Sequence, residues 1–179
     1  MRDPRLRPFR GAAAVLAATL LLQAASAAAL FALKLGPGAA RVREFYLGSE
    51  ARFTAAKSLS GLLEVALPHL VAIPLAIFAV AHLVGFVGAI RRRPFAVLVG
   101  VTFASALAGI LASFGVRYLA PSLAWAKIAS FCVFEAALLG WAGLLAWTFF
   151  LPARLTASAR DPAATPPPGM ASGARGCPP

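Results

Sequence analysis

The chain has 179 residues, of which 60% are hydrophobic and only 13% are charged, and its formal net charge is +11. Soluble domains carry about 25% charged residues, so this chain has too little polar surface to fold as a water-soluble globule. The basic residues stand at the ends of apolar runs and form no stripe with interleaved aromatic residues, which argues against a nucleic-acid-binding surface.

Four apolar runs are long enough to cross the hydrocarbon core of a bilayer, which needs about 20 helical residues. They cover residues 12–33, 59–88, 95–119 and 123–151. None alternates with a period of two residues, so we predict helices and not the strands of a barrel. The expected fold is all-α: a polytopic membrane protein with four transmembrane helices in one bundle, spanning residues 12–151.

The first run also has features of a secretory signal peptide. Four arginines precede it within residues 1–11, and Ala25-Ser26-Ala27 is typical of a cleavage site. The apolar character continues to residue 33, which is longer than the apolar core of a signal peptide. This length favours a helix that is retained in the mature protein, with cleavage as the alternative.

Lysine and arginine predict the orientation, because cytoplasmic loops are enriched in both. The strongest signal is the run of three arginines at 91–93, between the second and third spans. Placing this run in the cytoplasm also places both termini there, makes residues 35–57 an external loop and counts Lys127 among the external loop charges. The expected location is the inner (cytoplasmic) membrane of a bacterium, with residues 1–11 as a basic cytoplasmic N-terminus.

The external loop contains the glycine–proline–glycine break at 36–38, which is expected to end the first span. Ser49 is expected to cap a short helix that begins at Glu50 and leads into the second span. Phe45 and Tyr46 are expected to rest at the membrane surface, where amphipathic rings are common.

The sequence carries no motif of a common enzyme class. It has no phosphate-binding loop, no nucleophile elbow, no zinc-protease helix and no paired cysteines. Their absence favours a non-enzymatic protein without a metal site. Residues 152–179 are rich in proline, alanine and glycine, and are predicted to form a disordered cytoplasmic tail.

Ionisable residues within the spans are the candidate site, because such groups are costly in a membrane. Glu64, near the outer end of the second span, is expected to pair with Lys57, Arg117 or Lys127. Glu135 lies deep in the fourth span, and His69 is the one basic residue expected at a similar depth. Glu64, His69 and Glu135 are the candidate ligand or partner site, with a neutral hydrogen-bonding role between helices as the alternative for Glu135.

The two histidines also suggest a haem site. Thirteen residues of helix separate His69 and His82 by about 20 Å, similar to two stacked haems. Their rings point about 140° apart, however, and the chain has no third histidine to complete a ligand pair. A b-type haem would therefore need a second subunit. Without one, His82 is expected mainly to form hydrogen bonds between helices.

Small residues repeat every four positions in the third span. This spacing lets helix backbones approach closely, and we expect it to pack against another helix of the bundle, with a homodimer interface as the alternative. The residues are Gly100, Ala104, Ala108 and Ala112.

The segment at residues 45–70, FYLGSEARFTAAKSLSGLLEVALPHL, with His82 further on, resembles a group of bacterial four-helix inner-membrane proteins. The resemblance lies in the FYLG loop, the KSLSGLLEV segment and the histidine-bearing second helix. In that group two histidines two residues apart often follow, whereas here Leu67 takes the first position and His69 the second. The resemblance therefore implies a membrane location and no metal or haem ligand set.

These features favour a non-enzymatic subunit or scaffold that associates with another membrane or periplasmic protein. Two alternatives follow from the polar residues: a b-type haem electron-transfer subunit using His69 and His82, and a small proton-coupled transporter or channel subunit using Glu135. The expected contacts are with the lipid bilayer and with a membrane-protein partner or a second copy, and not with nucleic acid.

Overall fold

The structure, a computed structural model, describes residues 4–36, 38–87 and 91–150. Five α-helices occur in these ranges: α1 (Arg10–Leu30), α2 (Ala39–Leu47), α3 (Leu59–Val87), α4 (Arg92–Tyr118) and α5 (Ala124–Phe150). A π-helical turn, Phe31–Leu35, continues α1. The expected disordered tail at 152–179 lies outside the described residues.

The prediction of an all-α protein with four spans is confirmed. Four helical segments are long and apolar enough to cross a membrane: Arg7–Leu35, Leu59–Phe86, Arg92–Tyr118 and Pro121–Phe150. Lipid offers no partner for backbone polar groups, so the helix, which satisfies them internally, is the favoured form for each apolar run.

The ends of the spans meet in a cluster of buried apolar side chains. It contains Leu35 after α1, Leu62 of α3, Val116 of α4 and Ala124 of α5. We call this the outer end of the bundle, after the expected orientation, and the end at which α4 begins the inner end.

The main core occupies the inner half of the bundle and is built on α5. It joins α1, α3 and α5 through Ala13, Leu20, Ala24, Ile77, Val80, Val84, Leu138, Trp141, Ala142, Leu145 and Phe149. Trp141 is 1% exposed, and its Nε1 donates a hydrogen bond of 3.1 Å to Oγ1 of Thr102 on α4. The ring of Phe95 meets the Trp141 ring edge-on, with centroids 5.8 Å apart. This indole therefore joins α4 to α5 by both packing and a buried hydrogen bond.

The segment between α1 and α3 contains a helix that was not predicted from the sequence. α2 covers the outer end of the bundle and buries Ala39, Val42 and Tyr46. Their spacing of three and four residues places them on one face of a helix. The stretch is short and follows the break at 36–38, so its pattern resembles that of an ordinary loop.

The expectation that Tyr46 rests at the membrane surface is wrong. Tyr46 is 5% exposed, and its hydroxyl lies 3.0 Å from Oγ of Ser113 on α4. Ser113 donates its own proton to the Gly109 carbonyl at 3.1 Å, so Tyr46 is the donor to Ser113. Burial raises the pKa of the Tyr46 phenol, and the hydrogen bond with Ser113 acts in the opposite direction. The phenol is therefore neutral and fixes α2 to α4.

A tight hairpin connects α2 to α3. Gly48 has φ +87° and starts it, and reciprocal backbone hydrogen bonds of 2.9 and 3.0 Å join Ser49 to Thr54. The expected short helix is a 3₁₀ turn, Glu50–Arg52, but Ser49 makes no side-chain cap to it. Phe53 stands at the tip with φ +52° and is 98% exposed.

Candidate functional site

The middle of α3 is less buried than its two ends. Leu62 and Ala66 are buried near the outer end and Ile77 near the inner end, whereas every residue from 67 to 76 is exposed or half-buried. Two prolines, Pro68 and Pro74, lie in this stretch. Proline inside a helix removes a backbone hydrogen bond, and a space lies between this stretch of α3 and the other spans.

A cavity of about 450 Å³ fills this space and is lined by all four spans. The volume lies within the range of about 300–1,000 Å³ that is usual for ligand pockets. Most of the wall is apolar, and its inner part consists of core residues: Leu20, Ile77, Val80, Leu138 and Trp141.

Seven polar residues, which we call the polar belt, interrupt this apolar wall: Thr19, Gln23, His69, Ser105, Lys127, Ser130 and Glu135. At a rise of 1.5 Å per residue, Gln23, His69 and Glu135 each lie about 15–18 Å from the outer end of their spans. This depth is the middle of a hydrocarbon core about 30 Å thick. The belt therefore offers hydrogen-bonding groups where the surrounding lipid has none.

Lys127 is the lysine of the polar belt. Its Nζ donates a hydrogen bond of 2.8 Å to the Gly109 carbonyl on α4. A side chain at position 109 would place Cβ 3.3 Å from Oγ of Ser130, so glycine here allows α4 and α5 to approach. Among the described residues the ion pair that forms is Arg52–Glu44, and Lys127 has no acidic partner. An ammonium has three donors, so two N–H groups of Lys127 remain for another acceptor.

Glu135 is the carboxyl of the polar belt and lies two helical turns beyond Lys127 on α5. One of its oxygens, Oε1, is buried and has no hydrogen-bond partner among the described residues. A buried carboxyl oxygen without a partner is costly, which indicates a group that needs a donor from outside the chain.

His69, on α3, lines the same cavity. Its Nδ1 lies 2.6 Å from the Val65 carbonyl, which can only accept, so Nδ1 carries the proton. The other ring nitrogen, Nε2, is then an acceptor in the neutral ring. Of the predicted site residues, His69 and Glu135 are thus brought together along one cavity.

His82 lies elsewhere, and the role expected for it is not met. The side chain is exposed, and its ring packs between Phe78 and Phe86 of its own helix, with centroids 5.5 and 5.0 Å apart. The described contacts include no hydrogen bond from His82 to another helix. His69 and His82 therefore face different surroundings, as a separation of thirteen helical residues implies.

Glu64 does not share the cavity with His69 and Glu135. It is exposed on α3, and the ion pair expected for it is not formed among the described residues. The side chains expected to pair with it have other contacts. Arg117 donates to the Lys57 carbonyl at 2.9 Å, and Lys127 is bonded to Gly109.

The row of small residues on α4 lies mostly outside the helix contacts. Gly100, Ala104 and Ala108 are exposed, and only Ala112 is buried. The buried face of α4 is a neighbouring row that contains Thr102, Ser105, Ser113 and Val116. Of the four small residues, only Ala112 is buried within the bundle as expected. The contact between α5 and α4 lies along the neighbouring row.

Five members of the polar belt were not predicted from the sequence, among them Lys127 and Gln23. Lys127 was counted as a loop charge, although Lys127, Phe131, Phe134, Leu138 and Trp141 recur at spacings of four and three and share the cavity-lining face of α5. Gln23 is the only side-chain amide in the chain, because the sequence has no asparagine and no second glutamine. A single amide in the middle of an apolar span was the available signal.

The described residues contain no group of three histidine, cysteine or acidic side chains that could hold a metal ion. The spans and their cavity define a polytopic helical membrane protein. A family model for a transmembrane helical domain, Aq_1264_TM, matches residues 36–155, more than half of the chain. The chain belongs to this family, and α1 precedes the matched residues. No curated protein and no solved structure matches the chain.

Proposed function

We propose that the protein is a non-enzymatic membrane protein that binds a small amphipathic molecule within the bilayer. The observation that carries this proposal is the cavity itself, which has apolar walls and, at mid-membrane depth, the polar side chains of Gln23, His69 and Glu135. An amphipathic ligand satisfies both surfaces, since its polar group meets the belt and its apolar part meets the walls. This role needs no catalytic motif.

The ligand's polar group is an anion or a strong acceptor. Two N–H groups of Lys127 have no partner among the described residues, and a charge-assisted hydrogen bond is about twice as strong as a neutral one. The anion binds at Lys127 and not at Glu135, which lies two helical turns away and whose unpartnered oxygen is itself an acceptor. A carboxylate on an alkyl chain is the simplest molecule with this chemistry.

Octanoate binding to the protein in phosphatidylcholine nanodiscs tests the proposal, with protein-free nanodiscs as the blank. We expect Lys127→Met to weaken octanoate binding about tenfold or more, because it removes a charged donor. Lys34→Met removes an exposed lysine that does not line the cavity, and should leave binding unchanged. Equal affinities for octanoate and octylammonium, or equal losses in the two variants, would contradict the proposal.

We also propose a bacterial inner-membrane location with both termini in the cytoplasm and α1 retained. The three arginines at 91–93 support the orientation. Retention is supported by the packing of Ala13, Leu20 and Ala24 of α1 in the core. N-terminal sequencing of the mature protein tests retention.

Cysteine labelling tests the orientation in a chain whose Cys132 and Cys177 are replaced by serine. A cysteine at Ser49 is expected to react with a membrane-impermeant maleimide in intact cells. A cysteine at Arg92 should react only after the cells are permeabilised. The reverse pattern of labelling would refute the proposed orientation.

Association with a protein at the outer surface is a second candidate function. It is supported by Phe53, which is 98% exposed at the hairpin tip with a left-handed backbone. A left-handed conformation is uncommon for a bulky side chain, and such strain is often found at functional positions. Co-purification with wild type and with Phe53→Ser after mild detergent extraction tests this role.

A further inference from the structure

A second apolar volume lies on the other side of α3, between α3 and α4. This groove, of about 430 Å³, is lined on α3 by His69, Leu70, Ile73 and Pro74. On α4 it is lined by Gly100, Phe103, Ala104, Ala106, Leu107 and Ile110. Apart from His69, every side chain that lines it is apolar.

The groove starts at the polar belt and runs toward the inner end. Its α4 wall extends from Ile110 to Gly100, ten residues of helix and therefore about 15 Å. His69 is at the level where the groove begins, and Gly100 is at the other end. At Gly100 and Ala104 no large side chain fills the groove.

The groove and the cavity share part of their walls. His69, Ile73, Ala106 and Ile110 line both volumes. The two volumes therefore meet at the middle of α3, where the imidazole of His69 lines both.

We propose that the groove holds the acyl chain of the ligand, so that the ligand is a long-chain, single-chain amphiphile of the bilayer. This inference rests on the proposed function and names its ligand class. The anionic group lies in the cavity at Lys127, and the chain passes behind α3 beside His69 and follows the groove toward the inner end.

The surroundings of the groove favour an acyl chain over the other occupants. The hydrocarbon core of a bilayer contains almost no water, and an apolar volume left empty loses dispersion contacts along its whole wall. A helix of a partner protein is about 10 Å wide with its side chains, so it would contact the outer surfaces of α3 and α4 and not the bottom of the groove. An acyl chain can reach the wall at Gly100 and Ala104 and remain continuous with the cavity.

The experiment compares octadecanoate with octanoate in the same phosphatidylcholine nanodiscs, corrected with protein-free nanodiscs. Ala104→Leu places a larger side chain in the groove, on an exposed face of α4. We expect octadecanoate binding to weaken about tenfold and octanoate binding to stay within about twofold. Ala108→Leu is the matched control, because Ala108 is exposed one turn away and lines neither volume. It should leave both affinities unchanged.

The outcomes separate this inference from the proposed function. If octanoate binds through Lys127 but Ala104→Leu leaves octadecanoate binding unchanged, the acyl-chain assignment is overturned and the proposed function stands. If neither fatty acid binds the wild-type protein, both are overturned. Equal weakening of octadecanoate binding by Ala104→Leu and Ala108→Leu would show that the effect does not depend on the groove, and would also overturn the acyl-chain assignment.

Discussion

Replacing Trp141 by alanine is expected to lower the free energy of unfolding by about 3 kcal/mol. The indole is 1% exposed, packs against Phe95 and donates a hydrogen bond to Thr102. Lipid chains are as apolar as the core, so the loss comes from the cavity and the missing contacts and not from transfer out of water. Unfolding in mixed micelles, followed by pulse proteolysis over a titration with SDS, measures it.

Trp147→Ala is the matched control on the same helix. Trp147 is 48% exposed, and its removal leaves a surface that lipid or detergent can cover. We expect a change below about 1 kcal/mol. Trp141→Phe keeps most of the ring and should lose about 1 kcal/mol with the hydrogen bond. A larger effect of Trp147→Ala than of Trp141→Ala would show that the core is not built on Trp141.

Gly48→Ala is expected to open the hairpin between α2 and α3. Gly48 has φ +87° and ψ +168°, a backbone conformation that costs other residues about 1–3 kcal/mol. An added Cβ would also lie 2.8 Å from two backbone atoms, the Thr54 oxygen and the Ala56 nitrogen. We therefore expect trypsin to cleave after Arg52 about tenfold faster or more than in the wild type.

Gly38→Ala provides the comparison. Gly38 precedes α2 with an ordinary φ of −105°, and its Cβ would have no neighbour within 4 Å. Cleavage after Arg52 should keep the wild-type rate in this variant. Equal cleavage rates in the Gly48→Ala and Gly38→Ala variants would contradict the strained geometry assigned to Gly48.

The spans could be predicted from composition, because an apolar run of more than 20 residues has few alternatives to a membrane helix. The predicted second span, 59–88, begins at the same residue as α3, Leu59–Val87, and residue 88 lies outside the described residues. The same uniform apolarity hides how each helix is rotated about its axis. His69 and His82 are on one apolar span, and its sequence does not tell that His69 faces a cavity and His82 does not.

The remaining features depend on contacts between distant residues. Tyr46 is buried because Ser113, 67 residues further along the chain, accepts its hydrogen bond. Lys127 was taken for an external charge because it stands near the end of a span. It turns inward because the backbone carbonyl of Gly109 is within reach. A single sequence gives no measure of such pairings, so the polar belt could be predicted only in part, through His69 and Glu135.

Three consecutive hydrogen bonds join α2 to Lys127. Tyr46 donates to Ser113, Ser113 donates to the Gly109 carbonyl, and the same carbonyl accepts from Lys127. Displacing α2 would remove Tyr46 from Ser113 and so change the hydrogen bond from Ser113 to the Gly109 carbonyl, which Lys127 shares. A ligand that draws Lys127 away would leave this carbonyl to Ser113 alone. With the proposed ligand, docking of α2 and occupancy of the cavity would therefore be linked equilibria, each altering the other by the same coupling free energy. A molecule that bound α2 would in this way regulate one held in the cavity.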